Sequence, residues 1–558
     1  MKYNKLVEIY SELESTSKRL EKTDILAKFL KKVDDSDMAN VMNLISGRVF
    51  PLWDSRNIGF SSRLLIKAIS SSTGADVGRI EKEFNRLGDL GDVASLLLKT
   101  KTQQTLFSEK LTVKKVVENL KKLSELEGNG SVDRKIGLVA ELLSNASAEE
   151  ARYISRTVLE ILRVGIADGI IKDSIAKAFG NDVTEIDEAF DLVSDHGEVA
   201  MLAKNNNLKS LKLRPGRPMK LMLAILAKNV QDGFSVVGSP AALEHKYDGF
   251  RLQVHNDGKT VKLFTRNMEN VTTQFPDIVR NLKSSVNAKN YIIDCEAVGY
   301  SPNSGKYLPF QKISQRIKRK YDTDYVAREF PVELNIFDII YYNGKSLLNN
   351  VFSYRRELLE KIIRQTKKKV VLSRLLITDD HNKAERFFKD SIKEGHEGLI
   401  FKSLNSVYRP GRYVGYMAKL KDVMDSLDLV IVKSEWGNGK RASWLTSYTV
   451  ACRNGDDFLE VGKVSTGLKE KSEGDDKNNF YDMTKELKKI IISEKGKEVI
   501  VKPKIVVEVS YEEIQKSPTY SSKYALRFPR IITIREDKPL TEIATLDDVK
   551  KLYINQNK

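Results

Sequence analysis

The hydrophobic positions follow three successive patterns along the 558 residues. Up to about residue 210 they recur at helical spacing, as in Leu6, Ile9, Tyr10 and Leu13. Ser147-Ala-Glu-Glu150 supplies a capping box ahead of "ARYISRTVLEILRVG", a helical pattern that runs to Gly165. Thr184-Glu-Ile-Asp187 repeats a similar start signal. Pro215, Gly216 and Pro218 in "LRPGRPMK" then punctuate the chain. Beyond them Leu252 and Val254 alternate with polar residues, and Asp257-Gly258 predicts a hairpin turn into "TVKLFT". "YIIDCEAVGY", "VELNIFDIIYY" and "EGLIFK" predict further strands, with a helix over "SYRRELLEKIIRQ". From Leu427 short strands dominate: "LDLVIVKSEWG", "SYTVACRNGDDFLEVGKV" and "KIVVEVSYEEI". Helical stretches near 478–493 and 546–555 decorate what reads as a small barrel of about five strands. The expectation is multidomain: an all-α N-terminal domain over 1–212, an α+β domain over 213–424 and a β-barrel over 425–558.

Composition narrows the class. The chain is too long for one core. It has 41% apolar residues but no run of about eighteen, so no membrane span is expected. Met1-Lys2-Tyr3-Asn4 opens into a charged amphipathic pattern and not a secretory signal. Two cysteines, Cys295 and Cys452, cannot build a disulfide framework or a four-cysteine zinc site. The five histidines show no metal-ligand spacing. An intracellular protein is expected. The net charge of +17 points to a polyanionic partner, nucleic acid first, against the blander reading of a generally basic surface.

The chemistry centres on "EHKYDGFRLQVH", residues 244–255. Lys246 ends a strand pattern, Gly249 permits a tight turn, and Arg251 follows closely. A lysine is a nucleophile only as the free amine, and its ordinary pKa is about 10.4. Nearby cations such as Arg251 are expected to favour the neutral form, and the electrophile should be anionic. "GNGKRA", residues 437–442, lacks Walker-type spacing and reads as a turn.

"KYDGFR" resembles the Lys-x-Asp-Gly-x-Arg element of the covalent nucleotidyltransferases: DNA ligases, RNA ligases and capping enzymes. Thr265-Arg266-Asn267, Asp294-Cys295-Glu296, "LNIFDIIYYNG", "HEGLIFK", "AKLK" and "ALRFPRIITIREDK" follow in the family's order. With the helical N-terminal region and the length, the whole chain resembles ATP-dependent DNA ligases of the archaeal and eukaryotic replicative type. That resemblance implies an OB-fold for the C-terminal barrel and an adenylation domain before it. It implies attack by Lys246 on the α-phosphorus of ATP, giving a lysyl-AMP that passes to a DNA 5′-phosphate before the 3′-hydroxyl seals the nick. Glu244 would help read adenine, Arg251 and Glu296 would hold the ribose, and Phe337 would stack on the base. Arg266, Lys419 and Lys421 would neutralise phosphate charge, with Glu296 and Glu397 as carboxylates for Mg²⁺. "HEGLIFK" also carries Lys402. Arg530, Arg535, Asp537 and Lys538 would approach the pyrophosphate when the barrel closes about a hinge at 421–429.

Departures from the family pattern exist. Met417 stands where a tryptophan is usual, Lys523 where glycine is common, and the expected arginine position falls on Tyr413, beside Arg412, the nearest candidate for a nucleotide contact. For a nicked duplex, Arg156, Arg163 and Gly165 at helix ends and the basic "FQKISQRIKRKYD", with Lys312, Arg316 and Arg319, are the expected phosphate contacts. Gln103, Leu106 and Phe107 in "KTKTQQTLFSEKLT" resemble a short sliding-clamp-binding motif. A monomer is expected. The rival readings are an RNA ligase or capping-type enzyme, or a silent DNA-binding adaptor of the clamp. The long helical region speaks against the first, and the intact "KYDG" with both downstream carboxylates against the second. An NAD⁺-dependent relative would normally carry a four-cysteine zinc site.

Overall fold

The computed structural model describes residues 1–99, 110–308, 310, 313, 316–317, 323–421, 426–437, 441, 443–470 and 479–556. They fall into two compact units, Met1–Lys421 and Asp422–Lys558. Residues Gln103, Leu106, Phe107, Lys312 and Arg319 lie outside the described residues.

The helical spacing at the start of the chain becomes the helix Tyr3–Ser15, which buries Leu6, Tyr10 and Leu13 in the N-terminal core. The Ser147/Glu150 capping box forms, but its helix spans Ala148–Val158 and stops short of Gly165. The reason is local: Glu160, Arg163 and Gly165 all take left-handed φ values of 56°, 61° and 65°. The buried Lys22 ammonium donates to the carbonyls of Val164 and Gly165 there, satisfying acceptors in this irregular stretch. The second start signal shifts too: Asp182 caps the helix Val183–Val193 by accepting from Thr184 N, so Thr184 lies inside it.

The punctuated stretch 211–221 has no regular structure but is tied on both sides. Arg217 pairs with Asp195 at 3.2 Å and with Glu198, and donates to Val193 O at 3.1 Å. Two residues on, Met219 N donates to Gln253 at 3.2 Å, and Gly216 N donates to His255 at 3.1 Å.

Two sheets follow. Strands β1 (Met222–Leu223), β2 (Ile225–Ala227), β3 (Ala241–Lys246), β4 (Phe250–Asn256), β5 (Val261–Thr265), β6 (Tyr291–Gly299) and β7 (Val332–Tyr342) come first. Then come β8 (Lys345–Ser346), β9 (Val370–Leu372), β10 (Leu375–Thr378), β11 (Gly398–Ser403), β12 (Gly411–Arg412) and β13 (Met417–Lys421). One sheet has the order β10-β3-β11-β13-β2; the other runs β5-β4-β6-β7-β8, with β9 parallel to β7. Residues 247–249 therefore carry the chain from the first sheet into the second, immediately after Lys246. At Gly249 a Cβ would lie 2.4 Å from the Ala297 carbonyl oxygen, so the turn can press against β6 only without a side chain. Separate cores back the two sheets: Phe234, Leu243 and Phe401 behind the first, Leu252, Ile293 and Ile336 within the second.

The second unit is built around β14 (Leu427–Trp436), with β15 (Leu445–Asn454) and β16 (Asp457–Val464) following in antiparallel order on one edge. Its other edge is shared: the end of β14 pairs with β18 (Glu498–Val501) and its start with β19 (Val506–Ser510). Strand β17 (Ile491–Lys495) joins β18, the pair β20 (Glu513–Lys516) and β21 (Tyr524–Arg527) stands apart, and β22 (Arg530–Ile534) joins β19. Leu429, Ile431, Val450 and Val507 share one core with the helix Phe480–Lys488. That helix is shorter than the spacing predicts, because Ile491 onward pairs as a strand. The closing helix Leu546–Asn555 forms as expected, with Thr545 and Asp548 as its capping box. Thus the helical, α+β and strand-rich regions expected from the patterning are all present. No helix among the described residues is long and apolar enough to cross a membrane.

Candidate active site

A cavity of about 480 Å³ opens where the two sheets of the first unit face each other. Because successive strand residues point to opposite faces, Glu244 and Lys246 of β3 both look into it while His245 points behind. From the first sheet β11 adds Lys402 and β13 adds Lys419, and Glu397 joins them from just ahead of β11. From the second, β4 adds Arg251, β6 adds Glu296 and β7 adds Phe337, while Arg266 enters from the turn after β5. These nine residues, all singled out from the sequence, thus meet in one cavity, from seven strands or strand ends.

The nucleophile candidate makes a contact that charge-based reasoning did not anticipate. Lys246 Nζ donates to Glu397 Oε2 at 2.6 Å, and Lys421 Nζ approaches the same oxygen at 3.0 Å. The main chains are joined as well, since Glu397 N donates to Lys246 O at 2.7 Å. Burial pushes the Glu397 carboxyl up, but Lys246 and Lys421 together outweigh it and hold the group below its ordinary value. Basic groups do stand near the Lys246 amine, Lys421 on the same oxygen among them, but its direct partner is a carboxylate that sequence reasoning does not pair with it. Gly398, at φ 142°, keeps this corner narrow, because a Cβ there would meet Leu420 O at 2.1 Å.

Arg251 has a carboxylate partner of its own. Its Nε and Nη2 donate to Asp294 at 2.9 and 2.6 Å, and Nη1 donates to Met222 O at 2.8 Å. Tyr408 donates to the same Asp294 at 2.9 Å. A fully buried aspartate locked to a guanidinium in this way fixes the arginine fork in one orientation. The guanidinium carbon sits 5.4 Å from the centre of the Phe337 ring, and Lys402 Nζ lies 4.7 Å from it. Glu296 faces the cavity without such a partner among the described residues, and burial pushes its carboxyl up to about 8 against the opposing pull of Lys246 and Arg251.

Glu244 is the most fully engaged acid. Lys402 pairs with one oxygen at 2.6 Å, while Ser373 at 2.6 Å and Arg356 at 3.2 Å hold the other. All four side chains are buried. Asp294 is named from the sequence only as part of the acidic motif, without a role, and Tyr408, Arg356 and Ser373 are not singled out from it. Asp294 lies two residues before Glu296 on β6 and binds Arg251, and the other three come from distant segments that nothing in the local pattern links to the site.

Other sequence-derived candidates lie elsewhere. Arg412 sits on β12, where Leu223 of β1 is its register partner. Arg530 opens β22 in the second unit. In that same unit Arg535 and Lys538 converge on Asp428, at 3.2 and 2.6 Å, and Arg535 also pairs with Asp537 at 2.9 Å.

Two expected DNA contacts are corrected. Arg156 is 4% exposed and pairs with Asp89 at 3.3 Å, Glu14 at 3.2 Å and Asp92 at 3.3 Å, so its guanidinium faces the helical core. Arg316 is 1% exposed, donating to Gln274 O and Phe330 O and pairing with Asp277. Neither presents its charge to a phosphate. Arg163, by contrast, is half exposed on its left-handed corner and pairs with Asp89 at 3.0 Å.

With this geometry in hand, comparison with known proteins gives a consistent answer. The family models "DNA ligase N terminus", "ATP dependent DNA ligase domain" and "ATP dependent DNA ligase C terminal region" match residues 2–176, 221–421 and 441–538. A DNA ligase of Nanoarchaeum equitans is 47% identical over 99% of this chain and 98% of its own length. One from Thermococcus fumicolans is 41% identical over the same shares. The solved structure "Pmar-Lig_PreS3" covers 95% of this chain and 99% of its own, with a TM-score of 0.58 at 17% identity, a likeness of fold. The lysine-bearing cavity between two sheets, the helical region before it and the strand-rich unit after it all lie within these matches, and the chain belongs to the ATP-dependent DNA ligase family.

Proposed function

We propose that this ligase seals nicks in duplex DNA through a covalent nucleotide on Lys246. The observation that carries the reading is the placement of the Lys246 amine at the seam between two sheets, inside a cavity that also holds Arg251, Arg266, Phe337 and Lys419. The amine nitrogen attacks the α-phosphorus of ATP; the bond to the β-phosphate oxygen breaks and pyrophosphate leaves. A 5′-phosphate oxygen of the nick then takes the AMP, and the lysine nitrogen departs. Finally the 3′-hydroxyl attacks the activated 5′-phosphate, forming the phosphodiester and releasing AMP.

The side chains divide this work. Phe337 offers a ring face to the base, and Glu244, immobilised by Lys402, Arg356 and Ser373, offers a fixed acceptor edge beside it. Arg251, oriented by Asp294, addresses the ribose with Glu296. Arg266, Lys419 and Lys421 neutralise charge on the phosphates. For attack, Lys246 must leave Glu397, and Lys421 on the same oxygen is a cation ready to keep that carboxylate paired.

Glu296 and Glu397 fit a Mg²⁺ ion: both face the cavity, and the raised Glu296 carboxyl marks a place where a cation would relieve burial of negative charge. The ion would supply charge neutralisation at the phosphates. Arg530, Arg535 and Lys538 are the residues of the second unit that would meet pyrophosphate, once released from Asp428 in the case of the last two. Arg163, Lys312 and Arg319 are assigned to the DNA backbone, giving affinity that falls steeply with salt. Arg412 is kept as a nucleotide contact. Gln103, Leu106 and Phe107 are assigned to a sliding clamp, with the ligase acting as a monomer in replication, repair and recombination. Alanine at Leu106 and Phe107 would then abolish clamp pull-down while sparing joining without the clamp.

The deciding experiment supplies α-labelled ATP, GTP and NAD⁺ separately. Acid-stable label from ATP, lost on Lys246→Ala, is the expected result. Label that survives the substitution overturns the assignment of the nucleophile.

A further inference from the structure

The residues immediately before Lys246 and Glu397 are both histidines, and the fold brings them together on the face of the sheet opposite the nucleotide cavity. Strand β3 pairs antiparallel with β11 in a register that sets Lys246 against Gly398 and His245 against Leu399. His396 lies at the entrance to β11, so its ring reaches the back of β3 beside His245. The two ring centres are 5.2 Å apart. Between them comes one oxygen of Glu394: Oε2 is 3.7 Å from His245 Nδ1 and 3.7 Å from His396 Nε2. The other oxygen of Glu394 is taken by Arg374.

The surroundings leave these imidazoles without ordinary partners. Both side chains are about 1% exposed. His245 Nε2 and His396 Nδ1 are buried with no hydrogen bond. Phe387, Tyr247 and Tyr307 wall the pair with rings at 4.6 to 5.0 Å, and the cluster opens to solvent at the exposed Glu394. Buried polar groups are normally satisfied; here the far nitrogens have no partner, and the near ones, His245 Nδ1 and His396 Nε2, both stop 3.7 Å short of one carboxylate oxygen, a gap that an ion would bridge. The three ligand atoms lie within 4.8 Å of one another, and among the described residues no other trio of His, Cys, Asp or Glu does so. A tetrahedral zinc site with bonds of about 2.0–2.1 Å has ligand atoms about 3.4 Å apart; the two Glu394–imidazole separations of 3.7 Å are close to that, and the imidazole nitrogens draw together when the set closes on an ion.

We propose that His245, His396 and Glu394 form a binding site for a divalent transition metal of the zinc type, distinct from the Mg²⁺ carboxylates of the cavity. Two imidazoles and one carboxylate suit zinc and are poor ligands for magnesium, which takes oxygen donors. The fourth position is left for water. Such an ion would clamp the end of β3 to the 394–397 corner, and so fix from behind the two backbone positions that carry Lys246 and Glu397. Sequence spacing could not show this site, because its histidines are far apart in the chain and meet only through the β3–β11 register.

The test uses the full-length chain stripped of metal. Titrated with Zn²⁺ in excess Mg²⁺, it is expected to take up one equivalent and to melt at a higher temperature, and Co²⁺ in its place is expected to give the visible absorption of a tetrahedral ion. Glu394→Gln, at an exposed position, keeps the fold and weakens Zn²⁺ binding at least about tenfold. His396→Gln removes the tetrahedral Co²⁺ spectrum, and imidazole nitrogen resonances of the unaltered chain shift on loading. Absence of stoichiometric Zn²⁺ uptake, or uptake by Glu394→Gln indistinguishable from that of the unaltered chain, overturns the proposal. Neither readout depends on ligation, so failure here leaves the nick-sealing assignment standing.

Discussion

Two charged clusters in the first unit invite comparison: the cavity around Lys246 and the helical network around Arg156. Both gather cations and carboxylates within hydrogen-bond distance, yet they have opposite character. In the cavity Lys246 and Lys421 share one oxygen of Glu397, and all three side chains keep partial access to solvent. Around Arg156 every donor edge is consumed by Asp89, Glu14 and Asp92, and the guanidinium is shut from solvent. A buried pair of the second kind holds helices in register, and breaking it leaves charges unpaired. An under-saturated pair of the first kind can exchange partners at small cost, as a reacting group requires. The presence of an arginine near a helix end does not distinguish these cases; the supply of acceptors around it does.

The contrast can be broken in four ways, the largest effect first. Lys246→Ala should lower joining from ATP by about 10³-fold or more while leaving urea stability nearly unchanged, since Glu397 keeps Lys421. Single-turnover joining and a denaturation curve on the same sample measure both; a stability loss comparable with the activity loss would make Lys246 a structural residue like Arg156. Arg156→Met should do the reverse, costing about 3–5 kcal/mol of unfolding free energy with the salt dependence of nick binding intact. A stable variant with a shallower salt slope would return Arg156 to the DNA surface.

The third test uses pH. The folded Glu296 carboxyl is raised to about 8, so the native state retains a proton that the unfolded state has released. Stability relative to Glu296→Gln is therefore fully present below the ordinary carboxyl range and falls as pH rises to about 8, by up to about 1.4 kcal/mol per unit. Parallel urea titrations from pH 5 to 9 would show it, and coincident curves would place Glu296 in a more solvated setting. The smallest effect is expected from Arg163→Ala: a stability change under about 1 kcal/mol and a salt slope for nick binding reduced by about one. An unchanged slope removes Arg163 from the DNA contact.

Legibility from sequence followed the same division. Positions on strands were readable because alternation fixes the face: Glu244 with Lys246, and Arg251 and Glu296 on paired strands, meet as their spacing implies. The ordered motifs supplied the strands to be joined. What could not be read is what depends on partners remote in the chain. Arg156 finds Asp89 67 residues away and Glu14 142 away, and Arg316 finds Asp277 39 away. The premature end of the 148–158 helix rests on non-glycine residues in left-handed geometry, which propensity does not foretell. The direct partner of Lys246 was missed for a related reason: Glu397 is 151 residues away in the chain, and Arg251, near in sequence, is paired with Asp294.

The tied stretch 211–221 has a practical corollary for anyone dissecting this ligase. Prolines and a glycine advertise a seam there, but a truncation starting at residue 213 would strip Arg217 of Asp195 and Glu198. The fragment would carry a stranded cation beside the anchors at His255 and Gln253. Scissors are better placed elsewhere: what punctuation marks as a gap is, in three dimensions, a rivet.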